Sequence, residues 1–308
     1  MAKAVSANER FGRVRTSLTE AKGVAAGLPD LLIAARRVAA TVIAGWHGRR
    51  VAGRGETFWQ FRPFLPGETA NAIDWRRSAR DDHFYIREKE WEAAHLVWLW
   101  ADLSRSMDFR SRLAPVSKRD RAIVLLLALA ELLATAGERV GLLGESDPIL
   151  ARNAAERIAE FLARARPRPP ETAILRRFSD VVLIGDWLDP LDDTERILDQ
   201  VVRSGARAHL VQVVDPIEET FPYAGRTEFH DPESGARFVV GRAEQYRDDY
   251  RARLAALRER LALLCRRLDW TFLIHRTDRP ATEVLLALHA RLADRHGQSP
   301  FFAGEHAA

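Results

Sequence analysis

His95-Leu96-Val97-Trp98-Leu99-Trp100-Ala101-Asp102-Leu103-Ser104-Arg105-Ser106 decides how this chain folds. Its first seven residues are almost continuously apolar, which predicts a strand buried on both faces. Polarity changes at once after Ala101: a carboxylate at Asp102 and hydroxyls at Ser104 and Ser106 stand at alternate positions just past the strand end. Side chains so placed can turn toward one point, and oxygen-only ligands suit a hard divalent cation such as Mg²⁺. The same residue types also cap helices and build turns, so the motif alone leaves both roles open.

Working outward, 180–185 (DVVLIG) and 206–214 read as further apolar strands, and 139–143 and 271–275 as two more. Helical patterns lie between and around them at 28–45, 118–136, 154–164, 192–203 and 281–293, with Gly137 as the stop of the second. The segment 221–240, centred on Asp231-Pro232-Glu233-Ser234-Gly235, reads as a β-hairpin insertion. A helix of about 25 residues follows it, with Tyr246, Tyr250, Leu254, Leu257, Leu261, Leu264 and Leu268 on one stripe. Strands alternating with helices predict an α/β fold with a Rossmann-like, doubly wound parallel sheet joined by right-handed crossovers. Ligands in such sheets sit outside the carboxyl ends of the strands. Asp102 follows one strand directly and Asp186 another, so both carboxylates are expected on the same edge.

The chain has 308 residues, 47% of them hydrophobic and 29% charged, with a net charge of +4. That make-up is ordinary for a soluble globular protein and gives no sign of extensive disorder. Only Lys3, Lys22, Lys89 and Lys118 are lysines, so arginine carries nearly all the positive charge. A modest excess spread along the whole chain is weak grounds for nucleic-acid binding. Cys265 is the only cysteine, which excludes an intrachain disulfide and a cysteine-based zinc site. It falls in a leucine-periodic stretch and is expected to act as a small buried apolar residue. The first 23 residues are polar and charged, unlike a signal peptide, and the apolar stretch 31–45 is too short to cross a bilayer and is broken by Arg36 and Arg37. A cytoplasmic location is the expectation.

Residues 46–92 differ in character. Trp46, Trp59, Trp75 and Trp91 alternate there with Arg49, Arg54, Arg62, Arg76, Arg77 and Arg87. Short strands are expected near 56–62 and 84–90, with a Pro66-Gly67 turn and a helical turn at 70–78 between them. Aromatic and basic residues so interleaved can stack on single-stranded nucleic acid, or pack on one another as a structural subdomain. The order Phe61-Arg62-Pro63-Phe64-Leu65-Pro66-Gly67-Glu68, then Ile73-Asp74-Trp75-Arg76-Arg77-Ser78-Ala79, then Phe84-Tyr85-Ile86-Arg87 resembles the signature of the bacterial family known as domain of unknown function 58.

That resemblance implies a von Willebrand factor A-like domain after the signature, and it places Asp102-Leu103-Ser104-Arg105-Ser106 as the first part of a metal-ion-dependent adhesion site. By the same resemblance Asp186 is the carboxylate from the later strand and Thr172, in Pro169-Pro170-Glu171-Thr172, the threonine from a separate loop. Prolines precede that threonine where relatives have glycines, and Trp187 stands where relatives often have glycine. Arg62, Pro66, Gly67, Asp74, Trp75, Arg76 and Ser78 are the signature residues, structural or docking in role. The expected division is an N-terminal helical segment 1–45, the aromatic and Arg-rich β subdomain 46–92, the sheet domain 93–300 with its hairpin 221–240, and a tail 301–308.

The expected function is that of a non-enzymatic interaction module. Mg²⁺, or Mn²⁺ or Ca²⁺, bound at the site would be completed by an acidic residue of a protein ligand. The resemblance names a MoxR-type AAA+ ATPase as the partner and an adaptor or co-chaperone as the role. Two alternatives stand beside it: an Mg-dependent phosphoester hydrolase using Asp102 and Asp186, and nucleic-acid binding by 46–92. No nucleophile elbow, His-Glu-x-x-His or phosphate loop is present to favour an enzyme.

Overall fold

A strand such as LVWLWA is stable only where both of its faces are covered. In the computed structural model, which describes residues 27–44, 58–64, 73–80, 83–89, 95–188 and 191–293, it lies inside a five-stranded sheet. The elements in chain order are α1 (27–44), β1 (Phe58–Pro63), α2 (Trp75–Ser78), β2 (Tyr85–Lys89), β3 (Leu96–Ala101), α3 (Lys118–Thr135), β4 (Arg139–Leu142) and α4 (Ala154–Leu162). Then follow β5 (Asp180–Gly185), α5 (Leu191–Ser204), β6 (Arg207–Val214), α6 (Pro216–Thr220), β7 (Thr227–His230), β8 (Arg237–Val240), α7 (Arg247–Arg267), β9 (Thr271–Arg276) and α8 (Ala281–Ala293). Contacts divide the chain into two units, 1–45 with 95–308, and 46–94.

In the larger unit the sheet order is β4-β3-β5-β6-β9, and every pairing is parallel. The order reverses direction beside β3, where the chain runs first to β4 and then back past β3 to β5. That is the mixed α/β, Rossmann-like arrangement expected from the strand–helix alternation. Side chains alternate across the sheet. Val97, Leu99 and Ala101 join Val182 and Ile184 against α1, α3, α4 and α8, while Trp98, Val181 and Leu183 face α5 and α7. Leu28, Ala35, Ala39 and Val42 bury one side of α1 in the first of these layers, so this helix is part of the sheet's own core. Helix α3 is buried from Ala122 to Ala130 on all sides, which a helix apolar all round requires. Ser117 caps its start by accepting from Asp120 N–H at 3.0 Å, and Gly137, at φ +80, turns the chain out of its end.

The link from β6 to β9 carries the insertion. Among the described residues strands β7 and β8 pair antiparallel only with each other. Their turn is closed by Asp231 N–H donating to Ala236 O at 2.8 Å and by Gly235 at φ +74, a left-handed conformation that glycine takes at no cost. Helix α7 follows with Leu254, Leu261 and Cys265 buried, so its leucine stripe faces the core.

In the smaller unit β1 pairs antiparallel with β2, Arg62 standing opposite Ile86. Among the described residues no helix is long and apolar enough to cross a membrane.

Candidate functional site

Strands β3 and β5 are parallel neighbours with Ala101 opposite Ile184, so the residues after each emerge side by side at the carboxyl edge of the sheet. Asp102 N–H donates to Ile184 O at 2.8 Å, which extends the ladder one residue past β3. A Cβ at Gly185 would stand 3.3 Å from the Asp102 Cβ, so glycine there leaves Asp102 its room. Asp102 Oδ1 then accepts from Ser104 N–H at 2.8 Å, which bends the chain into the 3₁₀ turn Arg105–Asp108.

That bend brings the hydroxyls together. Ser104 Oγ and Ser106 Oγ lie 3.0 Å apart, and Ser106 Oγ donates to Asp186 Oδ2 at 2.9 Å. A hydroxyl has one proton, so Ser106 gives its own to Asp186 and receives that of Ser104. Asp186 is 1% exposed, and its Oδ1 accepts from Leu188 N–H at 3.2 Å. Ser104, Ser106 and Asp186 thus form one hydrogen-bonded chain beside Asp102.

Two residues the sequence reading did not single out join the cluster, a cation and a further carboxylate. Lys118, in the first turn of α3, places its ammonium 2.9 Å from Asp186 Oδ2 and 2.6 Å from Glu218 Oε1, and it is 1% exposed. Burial works to lower the pKa of this ammonium, but attraction to Asp186 and Glu218 outweighs it and the net direction is upward. Burial raises the pKa of Glu218, an effect the Lys118 charge opposes without reversing. Glu218 is aimed by a capping box: its Oε2 accepts from Asp215 N–H at 2.8 Å while Asp215 Oδ1 accepts from Ile217 N–H at 2.9 Å. The signals were present. Lys118 is one of only four lysines in an arginine-rich chain, and Asp215-Pro216-Ile217-Glu218 has capping-box spacing directly after an apolar strand.

A fourth carboxylate arrives from the insertion. Glu233, in the turn between β7 and β8, accepts from Ser106 N–H at 2.8 Å. Between the hairpin and the sheet edge lies a cavity of about 890 Å³. Ser106, Lys118, Asp186 and Glu218 line it together with Asp231, Glu233, Asp249 and Arg253; Phe221, Phe229 and Tyr250 are among the aromatic rings that line it. Phe221 lies between the other two, 5.8 Å from Phe229 and 4.9 Å from Tyr250 by ring centroids. Burial first, and then the Glu218 charge, pushes the Tyr250 hydroxyl up to about 12.

Thr172 lies apart from this cluster in its bonding: its hydroxyl donates to Gln200 Oε1 at 2.5 Å. The prolines before it lead into the short 3₁₀ turn Thr172–Ile174, packed against α5. Trp187 takes the left-handed conformation, φ 58, which a bulky side chain rarely adopts. Its indole N–H donates to Val211 O at 3.2 Å and its ring packs 6.5 Å from Trp100, which holds the strained backbone in place.

The donors suit a hard cation in kind and in one spacing. The 3.0 Å between Ser104 Oγ and Ser106 Oγ matches the edge of an octahedron with metal–oxygen bonds of about 2.1 Å. Asp102 and Asp186 stand beside that edge, with Asp186 already engaged by Lys118. Among the described residues no group of three or more His, Cys, Asp or Glu side chains could hold an ion. An ion at this edge would therefore draw on the two hydroxyls with at most two carboxylates.

The model of the family described as "Protein of unknown function DUF58" matches residues 60–260. The chain belongs to the DUF58 family. Uncharacterized proteins of Mycobacterium bovis and Mycobacterium tuberculosis are 26% identical to it over 275 residues, covering 83% of this chain and 86% of theirs. Among solved structures, conserved hypothetical protein BatB from Bacteroides thetaiotaomicron is similar at 12% identity and a TM-score of 0.38, over 65% of this chain and 100% of that one. An aerotolerance-related membrane protein from Bacteroides fragilis is similar at 13% identity and a TM-score of 0.37, over the same shares.

The DUF58 signature block has evident structural work. Asp74 caps α2, accepting from Arg77 N–H at 3.0 Å. Buried Ser78 donates to Asp74 O and accepts from Tyr85 N–H, both at 2.9 Å, tying α2 to β2. The Arg77 guanidinium lies 4.9 Å over the Tyr85 ring. Arg76 is exposed, and Trp75, 59% exposed, meets Phe84 edge-on at 5.9 Å. Pro66 and Gly67 lie outside the described residues.

Proposed function

We propose that this DUF58 protein is a non-enzymatic docking module that receives an acidic segment of a protein partner at the carboxyl edge of its sheet. The observation that carries the reading is the gathering of Ser104, Ser106 and Asp186 into one hydrogen-bonded chain beside Asp102, next to an accessible cavity. In this reading Ser104 and Ser106 hold a Mg²⁺-like ion with Asp102 and Asp186 behind them, in the manner of a von Willebrand factor A-like site, and a partner carboxylate completes the coordination. Lys118 is shared between Asp186 and Glu218, so it offsets only part of the edge's negative charge, and in this reading the bound cation supplies the rest of the attraction for the incoming carboxylate. A MoxR-type AAA+ ATPase is the partner proposed from the family resemblance, with an adaptor or co-chaperone role in the cytoplasm.

The test is capture of a purified MoxR-type AAA+ ATPase, using immobilised full-length protein with Mg²⁺ and again with EDTA. Capture by wild type, lost with EDTA and lost in Asp102→Ala, is the expected result. Absence of capture by folded wild type in Mg²⁺ removes the ATPase as partner. Capture unaffected by both EDTA and Asp102→Ala removes the sheet edge as the docking face.

A further inference from the structure

The contact between Glu233 and Ser106 joins residues far apart in sequence, and local geometry does not require it. The turn that carries Glu233 is already shaped by its own bonds: Glu233 N–H donates to Asp231 Oδ1 at 3.0 Å, and Gly235 N–H to Asp231 O at 2.9 Å. Among the described residues strands β7 and β8 pair with no strand beyond each other, and alternate residues of β7 and most of β8 are exposed. A two-stranded ribbon of this kind is marginal by itself, so what fixes it is its contact with the rest of the unit. Two such contacts stand out. Phe229 packs its ring on Phe221 at 5.8 Å and on Tyr223 at 5.2 Å, and the Glu233 carboxylate accepts from Ser106 N–H. Between them lies the cavity of about 890 Å³, within the range of ligand-binding clefts.

We infer that Glu233 is a tethered occupant of the docking site, and that the cleft between hairpin and sheet edge is the groove for a partner segment carrying a carboxylate beside a large apolar side chain. The inference rests on the docking-module reading and deepens it by naming the chemistry of the partner segment. The chain itself supplies the template. A carboxylate already sits on the Ser106 N–H, so the seat accepts that group in this geometry. The adjoining aromatic rings of Phe221 and Tyr250 offer the neighbouring residue an apolar wall. A partner therefore competes with Glu233, and the hairpin withdraws as the partner enters.

The experiment uses the full chain, wild type and Glu233→Ala, with two terminally blocked peptides as probes, acetyl-Gly-Glu-Phe-Gly-amide and its Gln counterpart. Glu233 is exposed, and an unchanged melting temperature would confirm that the variant folds. Two readouts are taken: hydrogen exchange at the Ser106 amide, and peptide affinity from shifts of the same resonance. The expected results are faster exchange at Ser106 in Glu233→Ala, and affinity for the Glu peptide raised about tenfold once a competitor at millimolar effective concentration is removed. The Gln peptide gains nothing. Unchanged exchange, unchanged affinity, or equal gains for both peptides would overturn the inference. Capture of the ATPase without any gain for the Glu peptide leaves the docking module standing and removes the tethered occupant. A gain for the Glu peptide without ATPase capture keeps the groove and removes the ATPase.

Discussion

Lys118 is the residue whose loss the site would feel most. It is a compact ammonium held between two carboxylates from different elements, Asp186 after β5 and Glu218 in α6. Its replacement by Met leaves both carboxylates without their cation, and we expect unfolding free energy to fall by about 3–5 kcal/mol in urea titrations. Lys118→Arg is expected to be nearly as damaging, since a planar guanidinium cannot take the place of a point charge in a site this buried. Asp102, Ser104, Ser106 and Asp186 were legible in the sequence because each lies within a few residues of an apolar strand end. Lys118, Glu218 and Glu233 were not, because their place depends on α3, α6 and the hairpin converging in space. Thr172 shows the reverse: resemblance placed it with the cluster, while the chain bonds it to Gln200.

At the scale of elements, the pattern of apolar runs was readable where Gly, Pro or a charge marks their ends. Strand β5 and helix α8 fall on the expected residues, 180–185 and 281–293. Helix α6 went unread because five residues between a strand and a hairpin give too little periodicity, although its capping box was there to see. Packing between elements was out of reach of the pattern altogether. At Gly141 in β4 an added Cβ would stand 2.4 Å from the Trp98 ring, so the strand and the ring fit only because that residue has no side chain. Gly141→Ala is expected to cost about 1–3 kcal/mol, read from denaturant midpoints with the shift in tryptophan emission as a local reporter. At Trp187 the ring outweighs the strain. Trp187→Gly relieves the left-handed backbone but empties a buried site in the layer with Leu183 and Val201, and a net loss of about 2–4 kcal/mol is expected in the same assay.

Over the whole molecule, stability as a function of pH reports how the edge strand β9 is buried. His275 is 2% exposed, and its Nε2 has no hydrogen-bond partner among the described residues. Burial, and next the Arg121 charge, lowers its pKa to about 4. As pH falls below about 6.5 the unfolded chain takes up a proton that the folded chain refuses until near pH 4. The stability present above about pH 6.5 is therefore lost progressively through that window, by up to about 3 kcal/mol. Substituting His275 with Leu should flatten the curve of urea midpoint against pH between about 4 and 6.5, whereas an unchanged slope would assign the acid loss to other groups.

The same molecule-wide readout bears on the central claim, that the hydroxyls and carboxylates at the sheet edge form a cation-completed docking site and not merely a set of turn and cap contacts. The measurement is a calorimetric titration of Mg²⁺ into wild type and Asp102→Ala, with thermal melts of each protein taken with and without the ion. The account predicts saturable binding to wild type and a rise in its melting temperature, corresponding to about 2.7 kcal/mol at a hundredfold excess over Kd, with neither effect in Asp102→Ala. Equal shifts in the two proteins, or no binding to wild type, would contradict it.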